Sequence, residues 1–549
     1  MGSRLLTRLL LPQFILMAPL ARFLVYHRYD PTRREAIVEI ALVVVLGAAA
    51  ALLLWRGGPR IRAATLAALL LIFIDLSFTL GQHLPRLVQS VIPIQTGWTA
   101  LAALAVGFAV LYGVVRALGA HGESVLAVVF GVVLASTVVF GGDGASDRVA
   151  RGEAREARRD LPLVVHLVLD EHGAYSTPPD EIDGASEVRR GMAALYVDNG
   201  FRLWSRAFSR SSATEVSMTA TFNAIRDLSR DLPLKEGTGG FFAYTMTANA
   251  YFDEMARRGW RIHAIQGNHI DYCAIRPSVV ESCRTFAASS PRAMMDADQP
   301  FVQKLVVLHS LYWRGSFLYY AALRAYRRLQ NAIGGLPSWP HRDNVAPMTS
   351  MAMFDQVLAT ARKAGRGAMV FAHLYVPHHP YAFKADCALR PYDEEWLLLG
   401  DSGLPPPKIN TVEGWRLRYR LYGEQVRCMN RALAKLFDGL RAAGLWDDSI
   451  VIVQGDHGSR ITLVEPDAEN RASLTAGDLR DNFLTHMAVK MPGLNAGFER
   501  TPQAIQDIVP HLMMGRPMPV AEDYVFLSMR SQPGQFLRVP LSDIALPAQ

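Results

Sequence analysis

A chain of 549 residues leaves room for more than one domain. Its net charge of +7 and pI near 9.2 do not point to nucleic acid, because neither a lysine-rich tract nor a zinc-finger spacing accompanies them. Much of the arginine flanks apolar segments, so a basic surface facing anionic lipid accounts for the charge.

Half the chain is apolar, and that excess is concentrated in the first quarter. Five segments there approach the ~20 apolar residues that a helix needs to cross the hydrocarbon core: 9–26, 36–55, 63–81, 97–115 and 124–142. Their number argues against a cleaved signal peptide, which would supply one short run. The loop "WRGGPRIR" carries Arg56, Arg60 and Arg62, and Arg4 and Arg8 lie near the N-terminus; both are expected on the cytoplasmic side. Everything after residue 142 then lies outside. "HRYDPTRRE" places three arginines on that outer side, which makes the first span the weakest. Glu39 and Asp75 lie within spans, where an acid is a functional-site candidate unless it reaches the interface near a helix end.

Residues 143–160 form a linker whose alternating charges read as an exposed helical connector. From 161 to the end, apolar runs alternate with helical patterns, which predicts an α/β domain with a largely parallel sheet. Strands are expected at 163–169, 260–266, 367–376, 449–455 and 486–491, and long helices at 347–364 and 415–443. The stretches around 333–347 and 400–408 read as surface loops. The four cysteines all follow the spans, so in an oxidising compartment Cys273–Cys283 and Cys387–Cys428 are the favoured pairings.

In open α/β sheets ligands bind beyond the carboxyl ends of the strands. The residues at those ends are Asp170 and Glu171; His373 with His378 and His379; and Asp456 and His457. Adjacent carboxylates repel unless a cation offsets them, and "VIVQGDHGSR" adds a carboxylate and an imidazole to complete an O/N sphere for one divalent ion. "FSRSSATEVSMTATFNA" (208–224) supplies the hydroxyls from which a metal-activated nucleophile could come; composition does not choose among them. His373, His378 and His486 could hold phosphate oxygens or move a proton.

These residues resemble membrane-anchored members of the alkaline phosphatase/sulfatase superfamily, notably the phosphoethanolamine and phosphoglycerol transferases. The markers are "LDEHG" (169–173), "GDHG" (455–458), "YGEQVRCMN" (422–430) and "THMAVKMPG" followed by "QAIQDIVPHLM". The resemblance implies an alkaline-phosphatase-like α/β/α sandwich behind about five transmembrane helices. It implies one divalent ion, zinc or manganese ahead of calcium or magnesium, held by Glu171, Asp456, His457, the nucleophile and Asp170. "TEVSMT" aligns best with the family's threonine segment and selects Thr214. The family's proline is absent and Glu215 follows the threonine, so Ser211 and Ser212 stay open. His378 and His486 align with phosphate-contacting histidines, and His373 with another histidine of that segment. No C/S-x-P-x-R motif is present, which excludes formylglycine chemistry.

The implied activity is transfer of a phospholipid headgroup phosphoryl to an envelope glycan or lipid, on the outer face of a bacterial inner membrane. Two other readings stay open: a membrane-tethered phosphatase, phosphodiesterase or sulfatase-like hydrolase, and a degenerate domain with a structural or regulatory role.

Overall fold

A computed structural model describes residues 2–80, 96–140, 147–153, 156, 158–237, 241–274, 279–288, 290–295, 299–337, 339, 344–390, 411–519 and 524–543. The chain divides into two compact units. The first holds Met1–Ser146 and also Ser289–Val345, a later excursion of the chain; the second holds Asp147–Ala288, Ala346–Arg390 and Glu394–Gln549. The loop expected at 400–408 lies outside the described residues.

The first unit begins with α1 (Gly2–Tyr26), α2 (Arg34–Arg56), α3 (Pro59–Ser77) and α4 (Thr96–Phe140). Gly119, at φ 55, breaks α4 into two helices, a backbone state that costs glycine little. Among the described residues, four helical segments are long and apolar enough, by length and composition, to cross a membrane: Arg4–Tyr26, Arg34–Arg56, Leu101–Gly119 and His121–Phe140. The remaining expected segment, 63–81, is helical over Pro59–Ser77. α3 is helical as expected, but Arg60, Arg62 and Asp75 lie within it and shorten its apolar stretch. The excursion adds α5 (Phe301–Trp313) and α6 (Phe317–Ile333), which the sequence reading did not anticipate.

Residues 147–151, expected within a helical connector, form an edge strand instead. This is β1 (Asp147–Arg151) of a nine-stranded sheet completed by β2 (Val164–Leu169), β3 (Arg202–Trp204), β4 (Arg261–Gly267), β5 (Val280–Phe286), β6 (Ala368–Leu374), β7 (Ile450–Gly455), β8 (Met487–Lys490) and β9 (Gly497–Glu499). The order is β1-β5-β4-β6-β2-β7-β8-β3-β9. The run β5-β4-β6-β2-β7 is parallel throughout, and β8 is antiparallel to β7.

Strand β2 shows why the apolar runs are continuous rather than alternating. Val165, Leu167 and Leu169 pack on one face with helices Ala185–Tyr196, Ala346–Ala364 and Val412–Ala442. Val164 and Val168 pack on the other with helices Thr214–Asn223, Ala250–Arg257 and Ile505–Met514. Burial on both faces requires apolar residues at every position of a parallel strand. The five expected strands and both long helices are present within a few residues of their expected limits, and the result is an α/β/α sandwich.

Candidate metal centre

Strands β2, β6 and β7 are neighbours and run parallel, so their carboxyl ends open at one edge of the sheet. Asp170 and Glu171 follow β2 directly, and Asp456 and His457 follow β7. Gly455 and Gly458 bracket the latter pair because backbone packs against both. A Cβ at Gly455 would lie 2.3 Å from the His172 carbonyl oxygen, and one at Gly458 2.3 Å from that of Asp481.

Asp170, Asp456 and His457 bring donor atoms within 4.8 Å of one another, all buried. His457 Nδ1 stands 2.9 Å from the Gly458 carbonyl oxygen and donates to it, which leaves the Nε2 lone pair facing the group. Nε2 lies 3.1 Å from Asp456 Oδ2, 3.9 Å from Asp170 Oδ1 and 3.1 Å from Thr214 Oγ1. Asp456 Oδ1 accepts from the amides of Glu171 and His457, whereas Asp456 Oδ2 and Asp170 Oδ1 have no hydrogen-bond partner. Lone pairs converging this closely in a buried pocket call for a cation or protons between them. The three separations lie within the ~4.4 Å that two ligands at ~2.2 Å from one ion can span. The residues fit a divalent ion.

Electrostatics agree. Burial, then the charges of Asp456 and Glu171, raise the Asp170 pKa well above the carboxylate range. Burial also opposes ionisation of Asp456, but His457 and His373 outweigh it and hold that carboxyl below its usual value. Thr214 is the first residue of helix Thr214–Asn223, so its hydroxyl sits at a helix N-terminus, where negative charge is favoured.

Glu171 turns elsewhere. In the left-handed region at φ 61, it directs its carboxylate to Arg460, with Oε1 2.7 Å from Nε and 2.6 Å from Nη2. His378 Nε2 lies 3.5 Å and His379 Nδ1 3.7 Å from the same carboxylate. Burial opposes the charge, but His378, Arg460 and His379 hold the Glu171 pKa well below the usual range. Burial lowers His378 to about 3, so its imidazole is neutral at pH 7. Glu171, His378 and His379 thus form a second group of donors rather than joining the first.

Several hydroxyls of the Ser/Thr-rich segment are engaged by backbone. Ser209 donates to the Ser211 carbonyl, Ser217 to the Asp456 carbonyl and Thr221 to the Ser217 carbonyl, while Ser211 Oγ accepts from the Ala213 amide. Thr214 is the hydroxyl directed at His457. His373 lies at the end of β6, with Nδ1 3.0 Å from the Tyr272 hydroxyl; burial lowers it to about 4. His486 is not brought to either group. Its ring is fully buried, stacked 4.3 Å from His172 and packed against Tyr196.

Three supporting residues escaped the sequence reading. Arg460 stood in the quoted "GDHGSR" but was assigned nothing. Tyr422 donates to the Glu171 carbonyl and accepts from the Gly173 amide, and Gln425 Nε2 donates to the carbonyls of Pro377 and His378. Both come from "YGEQVRCMN", singled out for resemblance alone. Cys428 of that segment pairs with Cys387, and Cys273 pairs with Cys283, as expected. In the same unit a cavity of about 550 Å³ is lined in part by Tyr175, Trp415, Arg480 and Phe498 and includes none of the donors of the two groups. Its wall residue Asp481 accepts the Arg460 amide on its carbonyl.

Comparison with known proteins gives a family match over part of the chain. Residues 303–513 match the family model described as Sulfatase. That stretch, under half of the chain, is a sulfatase-type enzyme segment. The matched stretch includes His373, His378, Asp456, His457 and Arg460 of the sulfatase-like site; Asp170, Glu171 and Thr214 precede it. No curated protein matches the chain. Among solved structures, the lipoteichoic acid synthase LtaP from Listeria monocytogenes is 13% identical, over 65% of this chain and 71% of its own, at a TM-score of 0.34. The phosphonate monoester hydrolase of Agrobacterium radiobacter is 12% identical over 67% and 80%, at 0.37. The C-terminal periplasmic domain of EcEptC from Escherichia coli is 10% identical over 72% and 96%, at 0.39.

Proposed function

We propose that the protein is a metal-dependent, membrane-anchored phospho-group transferase of the bacterial inner membrane, with its sulfatase-like domain on the periplasmic side. Thr214 Oγ attacks the phosphorus of a phospholipid headgroup, the bond to the lipid alkoxide breaks, and a phosphothreonine ester results. The hydroxyl of an envelope glycan or lipid then attacks that phosphorus and frees Thr214. One observation carries this reading: Thr214 Oγ1 lies 3.1 Å from His457 Nε2 at a helix N-terminus, beside two carboxylate oxygens without hydrogen-bond partners.

Asp170, Asp456, His457 and Thr214 would hold one divalent ion, zinc or manganese by their O/N donor set, which supplies a lowered hydroxyl pKa and neutralises charge on the phosphoryl oxygens. The protein's own groups do the rest. His457, with its Nδ1 proton donated to the Gly458 carbonyl, keeps the Nε2 lone pair turned toward the ion, and the proton of the acidified Thr214 hydroxyl passes to water. Arg460, held by Glu171, offers a permanent cation for a phosphate oxygen, and neutral His378 accepts from Arg460 Nη2 on Nε2 and so helps to position the guanidinium.

The test is intact-mass measurement of the full-length protein in detergent with bacterial phospholipid. The expected result is a covalent adduct whose mass identifies the transferred group, absent in Thr214→Ala. An adduct that persists in that variant overturns the nucleophile. Release of headgroup phosphate to water as the sole product, even with acceptor lipid and glycan supplied, overturns transfer.

A further inference from the structure

Two acids flagged within the membrane spans are absorbed by the excursion of the chain at Ser289–Val345. Asp75 accepts from the Ser316 hydroxyl at 2.6 Å and from the amides of Phe317 and Leu318 at 2.8 and 3.0 Å, so it caps the N-terminus of α6. Glu39 lies 3.0 Å from His309 Nδ1 on α5. Gly315, between the two helices, approaches α3 so closely that a Cβ would fall 2.4 Å from the Thr79 methyl. Glu39 is near the start of α2 and Asp75 near the end of α3, and Gly57 and Gly58 join the two helices. Both acids therefore mark the same end of a helical hairpin whose other end carries Arg56, Arg60 and Arg62. By the excess of arginine at the far end, this is the outer end.

At that end α6 presents two adjoining stripes. Ala322, Ala325, Leu329 and Ile333 are exposed at helical spacing, with Leu329 and Ile333 48% and 67% accessible. Beside them Arg324 and Arg328, four residues apart, are also exposed. Among the described residues neither arginine pairs with a carboxylate. Residues 299–342 contain six lysines and arginines and neither aspartate nor glutamate. Trp313 and Tyr326, both partly exposed, add amphipathic rings of the kind that settle at headgroup level. An exposed apolar stripe beside a basic one does not suit water. It suits the boundary between hydrocarbon and headgroups.

We infer that α6 is an interfacial helix, docked on the outer end of α3, that binds anionic phospholipid headgroups through Arg324 and Arg328. The apolar stripe enters the acyl boundary while the guanidinium groups reach outward to phosphate oxygens. Charge decides the occupant: a stretch with six cations and no acid complements an anionic lipid surface and is mismatched to a neutral one.

The experiment uses the full-length protein in nanodiscs. All four native cysteines are in disulfides, so Ala325→Cys gives a single site for a nitroxide. The nitroxide is expected to be relaxed by lipid-soluble oxygen and shielded from a water-soluble nickel reagent; the opposite pattern overturns the placement. Phosphatidylglycerol retention is then measured by native mass spectrometry. Arg324→Gln/Arg328→Gln is expected to weaken it about fivefold for each arginine, with phosphatidylcholine retention unchanged. Unchanged phosphatidylglycerol retention, or an equal loss in Arg230→Gln on the exposed surface of the other unit, overturns the headgroup site.

Discussion

Two pairs of buried acids teach opposite lessons. In the membrane-helix unit, Asp75 is saturated by one hydroxyl and two backbone amides, and Glu39 is matched by His309. In the sulfatase-like unit, Asp170 and Asp456 are as deeply buried but each leaves a carboxylate oxygen without a hydrogen-bond partner. All four attract attention in the sequence as acids in apolar surroundings. What separates them is donor count. An acid whose lone pairs are filled by protein donors is structural, and one whose lone pairs converge unfilled is built for a ligand that brings its own positive charge.

The largest test of this contrast is Asp456→Ala. It removes a donor at the centre of the first group, and the purified protein is expected to lose its stoichiometric divalent ion while transfer falls by ~10³ or more. Metal content by mass spectrometry, read beside activity, checks it. Retained metal with retained activity would collapse the distinction between the two pairs.

Next in size is the pH dependence of metal binding. The Asp170 pKa is raised, so its carboxyl holds a proton at a pH where an ordinary carboxylate is already ionised. That proton competes with the metal, so affinity falls as pH is lowered through the raised range. Equilibrium dialysis from pH 8 to 5 should show the fall, and Asp170→Asn should bind more weakly with a shallower slope. A flat profile in the native protein would contradict the assignment of Asp170 to the site.

How much of this was legible beforehand follows from the same physics. Parallel strands buried on both faces announce themselves as unbroken apolar runs, so β2, β6 and β7 and the polar residues after them could be read directly. The antiparallel direction of β8 and the edge strand β1 could not, because pairing direction leaves little trace in a short segment. At the site, Asp170, Asp456, His457 and Thr214 gather as expected. The diversion of Glu171 to Arg460 depends on a single positive φ, and the burial of His486 depends on a ring partner, His172, more than three hundred positions away. The excursion at Ser289–Val345 was read as ordinary domain sequence, since its helices declare their partner only through Asp75 and Glu39.

Asp75→Ala comes third. It strips the cap from α6 and leaves two amides and a hydroxyl without their acceptor, at a cost of about 1–3 kcal/mol. The unfolding midpoint of the membrane-helix unit in detergent should drop while metal content stays unchanged. A loss of metal would mean that the first unit's acids are not merely structural.

The smallest expected effect is the most discriminating. Glu39→Gln keeps the size of the side chain and an acceptor for His309 Nδ1, and removes only the charge. If Glu39 serves as a structural partner, the cost is about 0.5–1 kcal/mol, the difference between a charged and a neutral hydrogen bond, and activity is unaltered. An acid that carried protons or substrate would behave otherwise, because glutamine cannot exchange a proton: turnover would fall severalfold with stability hardly changed. Measuring both quantities on one preparation separates these outcomes. A severalfold fall in turnover would move Glu39 out of the saturated pair and beside Asp170 and Asp456.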